Sequence, residues 1–163
     1  MVLSNDDAKV QKALTAIGAA TSAASVRAFM GNAKTQLLAG HLSEAHAEAI
    51  RRAGLRRLAE LAGQDADDPL ARRWIEGIVA FEALTGKRAS RTRPMLERHG
   101  AQRAFEKLVE RTSGTSGFEQ MIEAGLHDMT AEWIVIEFKE IFDERIRGLA
   151  EQRLSSAGVG IRP

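Results

Sequence analysis

Start and stop signals for helices succeed one another along nearly the whole chain, and the segments between them carry apolar residues at helical spacing. Ser4-Asn5-Asp6-Asp7 has the form of a capping box, which begins a helix near Asn5, and Val10, Leu14 and Ile17 give that helix an apolar stripe. The small-residue run 19–25 predicts a break. Val26, Phe29, Met30, Ala33, Leu37 and Leu38 then resume the period as far as a stop at Gly40. Ser43 caps a third helix with Ile50, Leu55, Leu58 and Leu61 on its core face. Asp68 caps a fourth, and Pro69 occupies the first helical position, where a missing N–H costs nothing. Leu70, Trp74, Ile75, Ile78, Val79 and Phe81 form its broad apolar face, and Gly86 closes it.

The second half follows the same grammar. Residues 90–99 read as a short helix with Pro94 in its first turn and Gly100 at its end. Ala101, Ala104, Phe105, Leu108 and Val109 make the cleanest amphipathic pattern in the chain. Ser116-Gly117-Phe118-Glu119 forms another capping box, opening a helix that stops at Gly125. Residues 133–142 are apolar almost all round and include Ile134-Val135-Ile136, which alone could be a strand. No second strand is available to pair with it, so the segment reads as a buried helix. Asp143 caps a last helix through Leu154, and the tail 155–163 carries no pattern that would order it.

The expected fold is therefore all-α: a compact bundle of roughly eight short helices with a helix-turn-helix-like unit in the middle. Its expected core holds Trp74, Ile78, Phe81, Phe105, Leu108, Phe118, Ile122, Trp133 and Ile136. The polar stretch 65–69 separates an N-terminal helical region, 1–64, from a C-terminal helical domain, 65–154. A simple surface loop between regions packed on each other is the favoured reading over a domain boundary.

With 163 residues, 44% hydrophobic and 28% charged, the chain has the composition of a globular protein. It has no apolar run long enough to span a bilayer, and its first residues lack the order of a secretion signal. The absence of cysteine rules out disulfides, thiol nucleophiles and Cys-based zinc sites. The expected location is the cytoplasm.

Recognisable catalytic chemistry is missing. His41 and His46 are five apart and so do not share a helical face, while His99 and His127 sit beside glycine stops. Glu137, Glu140 and Glu144 recur at helical spacing, which a solvated helix face explains. There is no HExxH motif, nucleophile elbow or glycine-rich phosphate cradle. The expectation is a non-enzymatic protein without cofactor or metal.

The functional lead is a charge asymmetry. Between residues 86 and 111, eight basic residues face three acidic ones, a net +5, whereas residues 112–163 carry five against nine, a net −4. Helix, glycine-containing turn and helix over residues 74–99 outline a helix-turn-helix unit. Its second helix would open with Arg91 and Arg93, the end that contacts nucleic acid in such motifs. Arg103, Lys107 and Arg111, four apart, form a stripe on the next helix, and Lys87 and Arg88 lie in the turn. The expected function is a small regulatory protein that binds DNA or RNA. Lys87, Arg88, Arg91 and Arg93 would make direct contacts, and Arg103, Lys107 and Arg111 phosphate contacts. The alternative is a helical adaptor, inhibitor or subunit that binds a protein, whose interface would include residues 133–142. Neither reading involves a membrane, and a homo-oligomer is compatible with both.

Overall fold

The computed structural model describes residues 4–111 and 116–161. Among the described residues it is all-helical, with eight α-helices and one 3₁₀ turn: α1 (Asn5–Ala19), α2 (Ala23–Leu38), α3 (Glu44–Gly63), α4 (Pro69–Thr85), α5 (Met95–Glu110), α6 (Ser116–Glu123), the 3₁₀ turn His127–Met129, α7 (Ala131–Glu137) and α8 (Glu144–Ser156). None is long and apolar enough to cross a membrane. The chain divides into two compact units, Met1–Leu61 and Ala62–Pro163.

Most helix ends lie where local chemistry puts them. The Ser4 hydroxyl accepts from the Asp7 N–H while the Asp7 carboxylate accepts from the Ser4 N–H, completing the capping box of α1. Ser22, Asp68, Thr130 and Asp143 cap α2, α4, α7 and α8 in the same way, and Pro69 begins α4. Glycine closes several helices in the left-handed conformation. At Gly125, for example, φ is 70°, and the N–H groups of Gly125 and Leu126 reach back to the carbonyls of Ile122 and Met121. Part of the Ser116 capping box falls outside the described side chains, as does the loop at residues 112–115.

Three segments depart from the sequence expectation. Residues 90–94 are successive turns, and α5 begins only at Met95, with Pro94 at the cap position. Proline disfavours helical geometry in the residue before it, so the helix starts after Pro94 instead of running through it. Arg91 and Arg93 therefore precede the helix and do not lie in its first turn. Gly100 (φ 74°, ψ 165°) breaks the short leading segment from the main body of α5, as its sequence position suggests. Second, α7 ends at Glu137, and residues 138–142 turn so that Phe142 reaches the core before Asp143 starts α8. Third, α8 continues to Ser156. Gly158 (φ 75°) and Val159 close it by bonding back to Ser155 and Leu154, so the residues just after Leu154 have a defined structure.

In the N-terminal unit, Val10, Ile17, Val26, Ala33, Ile50, Leu55 and Leu58 are buried. Helices α2 and α3 approach closely at Gly54, where a Cβ would sit 2.5 Å from the Met30 side chain. The Arg57 Nε–H donates to the Ala20 carbonyl that ends α1 (3.0 Å), and His46 on α3 meets Asp7 at 3.1 Å.

In the C-terminal unit, Trp74 and Ile78 of α4 and Phe105 and Val109 of α5 pack with Ile134 and Val135 of α7. Phe142 and Ile146 complete the cluster. Phe105 stands edge-on to both Trp74 (5.0 Å between centroids) and Phe142 (6.4 Å), the favoured aromatic geometry. Of the nine expected core residues, Trp74, Ile78 and Phe105 are buried, and the other six are half-buried. On α7 the register differs from the expected one by a residue. Ile134 and Val135 face inward, while Trp133 lies half-exposed with its ring edge-on to His127. Within residues 133–142 only Ile134, Val135 and Phe142 are buried, and Ile141 is exposed.

Two contacts give stability predictions. The Glu132 carboxylate is buried and accepts from Arg153 of α8 at 2.8 Å. Arg153→Ala leaves that carboxylate unpaired and should cost about 3 kcal/mol in urea unfolding. The double variant Glu132→Leu/Arg153→Ala should recover a large part of the loss, and a double as unstable as the single would show the pair is not the cause. At Gly77 of α4, a Cβ would lie 2.9 Å from the Met129 carbonyl oxygen. Gly77→Ala should therefore lower stability by ~1–3 kcal/mol even though alanine favours helix.

Candidate functional site

A cleft of about 560 Å³ opens in the C-terminal unit. Its walls are Arg73, Trp74, Gly77, Ile78 and Phe81 of α4, Phe105 and Leu108 of α5, Phe118 and Met121 of α6, and Met129–Glu132 with Ile134. Lys87, Arg88, Arg91 and Arg111 contribute four cations to it. The first three lie on the turn that Gly86 initiates by ending α4 in the left-handed conformation (φ 68°), and Arg111 lies at the C-terminal cap of α5.

Ion pairing sorts the seven candidate cations among the eight basic residues of the segment 86–111. Arg93 is held by Glu82, with its Nη2 2.5 Å and its Nε 3.3 Å from the two carboxylate oxygens. The Ala89 N–H donates to the same carboxylate at 2.8 Å, so Glu82 fastens the turn to α4. Partial burial pushes the Glu82 pKa up, but the hydrogen bonds from Arg93 and Ala89 and the charges of Arg93 and Arg88 outweigh it, and the group sits below its ordinary value. Arg103 donates to Glu106 at 2.8 Å and Glu110 at 3.4 Å, and Glu110 also accepts from Arg145 at 2.6 Å. The Arg145 hydrogen bond, with the help of Arg103, holds Glu110 below the usual carboxylate range. Lys87, Arg88, Arg91, Lys107 and Arg111 form no ion pair with a described carboxylate. The Arg111 guanidinium has the Met95 sulfur as a neighbour, at 3.7 Å.

Below the rim, Arg73 of α4 has its Nη1 2.6 Å from Glu76 and its Nη2 2.6 Å from the Asp128 carbonyl and 3.0 Å from Glu137. Burial works against its charge; the hydrogen bond it donates to Glu76, and the charge of Glu137 with the hydrogen bond donated to it, overcome that and raise its pKa. Glu132, the carboxylate on the cleft wall, is engaged by Arg153. The Thr130 hydroxyl donates to the His127 carbonyl (2.6 Å) and caps α7. The Trp74 indole N–H is buried without a hydrogen-bond partner.

The structure therefore brings Lys87, Arg88, Arg91 and Arg111 together at one cleft and commits Arg93 and Arg103 to internal pairs; Lys107 is not among the cleft residues. Of the carboxylates at helical spacing, Glu137 pairs with Arg73. Among the described residues, no group of three or more His, Asp or Glu side chains is placed to hold a metal. Sequence reading missed Arg73, Glu76, Glu82, Glu132 and Arg153. The Arg73–Glu76 spacing of three was visible, but Glu137 and Arg153 reach their partners only through the fold.

The Glu82–Arg93 pair makes stability depend on acidity. Because folding lowers the Glu82 pKa below 4.5, its contribution is fully present above that pH and is lost as pH falls through the lowered folded value. Glu82→Gln should therefore flatten the fall of the urea midpoint on the acid side of pH 4.5. An unchanged profile in the variant would show that the pair contributes nothing.

Comparison with protein-family models, with curated proteins and with solved structures finds no match to this chain.

Proposed function

We propose that the protein is a small non-enzymatic regulator whose C-terminal unit associates with nucleic acid through Lys87, Arg88, Arg91, Lys107 and Arg111. The observation that carries this reading is the sorting of the basic segment: Glu82, Glu106 and Glu110 are engaged by Arg93, Arg103 and Arg145, while these five cations have no described carboxylate partner. A guanidinium without such a partner matches a phosphate in shape and charge.

The geometry also changes the kind of contact. Arg88 and Arg91 lie on turns and at a cleft rim, so no helix carries them into a major groove. Cations so placed suit phosphate contacts, which position a duplex or single strand without reading its bases. The reading is accordingly of association with little sequence preference. Of the apolar stretch that the protein-binding alternative relies on, residues 134, 135 and 142 are buried in the core of their own unit, Trp133, Ile136 and Phe138 are half-buried, and Ile141 is exposed.

Fluorescence anisotropy of labelled single-stranded and duplex DNA and RNA at several salt concentrations tests this. Binding should weaken steeply with salt and differ little between sequences. Arg88→Ala/Arg91→Ala should reduce the log–log salt slope by roughly 1.5–2, the share of two phosphate contacts. Absence of binding at low salt, or wild-type binding by Arg88→Ala/Arg91→Ala, overturns the proposal and turns the search to a protein partner.

A further inference from the structure

We propose that the cleft in the C-terminal unit is a binding site for a small amphiphilic anion, an acidic headgroup on an apolar body such as a medium-chain carboxylate. The proposal does not rest on the nucleic-acid reading, although the two share cations. A volume of about 560 Å³ lies within the range of small-molecule sites and far below what a folded partner requires. The interior is apolar, with Phe81, Leu108, Phe118 and Met121 contributed by three helices. Methionine and partly exposed aromatic side chains adapt to ligands of varied shape.

The polar groups decide the headgroup. Lys87, Arg88, Arg91 and Arg111 give the rim four positive charges, and none is paired with a described carboxylate. Glu132, which could repel an anion, is already neutralised by Arg153 at 2.8 Å. The wall also contains a buried donor with nothing to bond, the Trp74 indole N–H. Such a donor normally finds an acceptor when buried. An apolar molecule without a headgroup would leave the rim charges unanswered, and an anion without a body would leave the aromatic floor facing water. Only a molecule with both parts satisfies the whole surface.

Isothermal titration of the full chain with decanoate, with decanol and with inorganic phosphate separates the contributions. Decanoate should bind saturably at one site, with decanol and phosphate each at least about tenfold weaker, the loss expected for one charge-assisted hydrogen bond or more. Arg88→Ala/Arg91→Ala alters exposed residues, so it should keep the wild-type melting temperature while weakening decanoate about tenfold or more. Phe118→Ala should weaken decanoate and leave phosphate unchanged. The proposal is overturned if decanoate does not bind, if decanol or phosphate binds as tightly, or if Arg88→Ala/Arg91→Ala keeps wild-type affinity. Failure of nucleic-acid binding, read by anisotropy without decanoate, leaves this result untouched.

Discussion

Arg73 is the interaction on which the C-terminal unit depends. Its guanidinium is largely withdrawn from water, where a cation needs carboxylate partners; its two Nη groups find them, while its Nε–H is buried without a partner. Glu76 answers from the same helix, Glu137 from the end of α7, and the Asp128 carbonyl from the 3₁₀ turn. One side chain therefore fixes where α7 and the preceding turn lie against α4. Gly77, one position after Glu76, allows the Met129 carbonyl to approach α4 closely enough for that arrangement. The cleft wall formed by Met129–Glu132 stands where it does because of these contacts. Removing the guanidinium would leave two carboxylates facing each other's charge with nothing between.

A second layer of pairing shapes the surface. Glu82 draws Arg93 and the Ala89 N–H to the C-terminal part of α4, which folds the turn carrying Lys87, Arg88 and Arg91 over the cleft. Arg93 is thus a positioning residue for its neighbours on that turn. Glu106 and Glu110 do something similar for α5 by absorbing Arg103 and Arg145. The exposed pairs contribute little stability individually. Their larger effect is to leave Lys87, Arg88, Arg91 and Arg111 at the cleft without a described carboxylate partner.

How much of this was legible in the sequence depends on the range of the interaction involved. Caps and stops are local: Ser4 with Asp7, Asp68 with Pro69, Asp143, and the glycines at 86, 100 and 125 all act within a few residues, and each marks a helix end in the structure. The start of α5 was misread because Pro94 fits a first turn and a cap equally well by pattern, and the chain uses it as the cap. The inward face of α7 was misread for a different reason. A segment apolar on every side has no moment to orient it, so burial of Ile134 and Val135 instead of Trp133 is settled by α5 and α8. The basic cluster was visible as composition. Which of its members are spent was not, because Arg93 finds Glu82 eleven residues away and Arg145 finds Glu110 across 35.

The rim cations connect the two proposals by linkage. Arg88 and Arg91 are asked to serve a phosphate backbone from outside and an acidic headgroup from within the cleft. A guanidinium already bonded to a carboxylate has both its charge and its donors engaged, so it offers less to a phosphate. Each occupant then weakens the other by the same factor, since coupling between two equilibrium binding events is reciprocal. The regulatory character inferred from the basic segment acquires a physical form on this view. A small acidic metabolite, by filling the cleft, would withdraw the charges that hold a nucleic acid, with no change of fold required beyond the side chains of the Gly86-initiated turn.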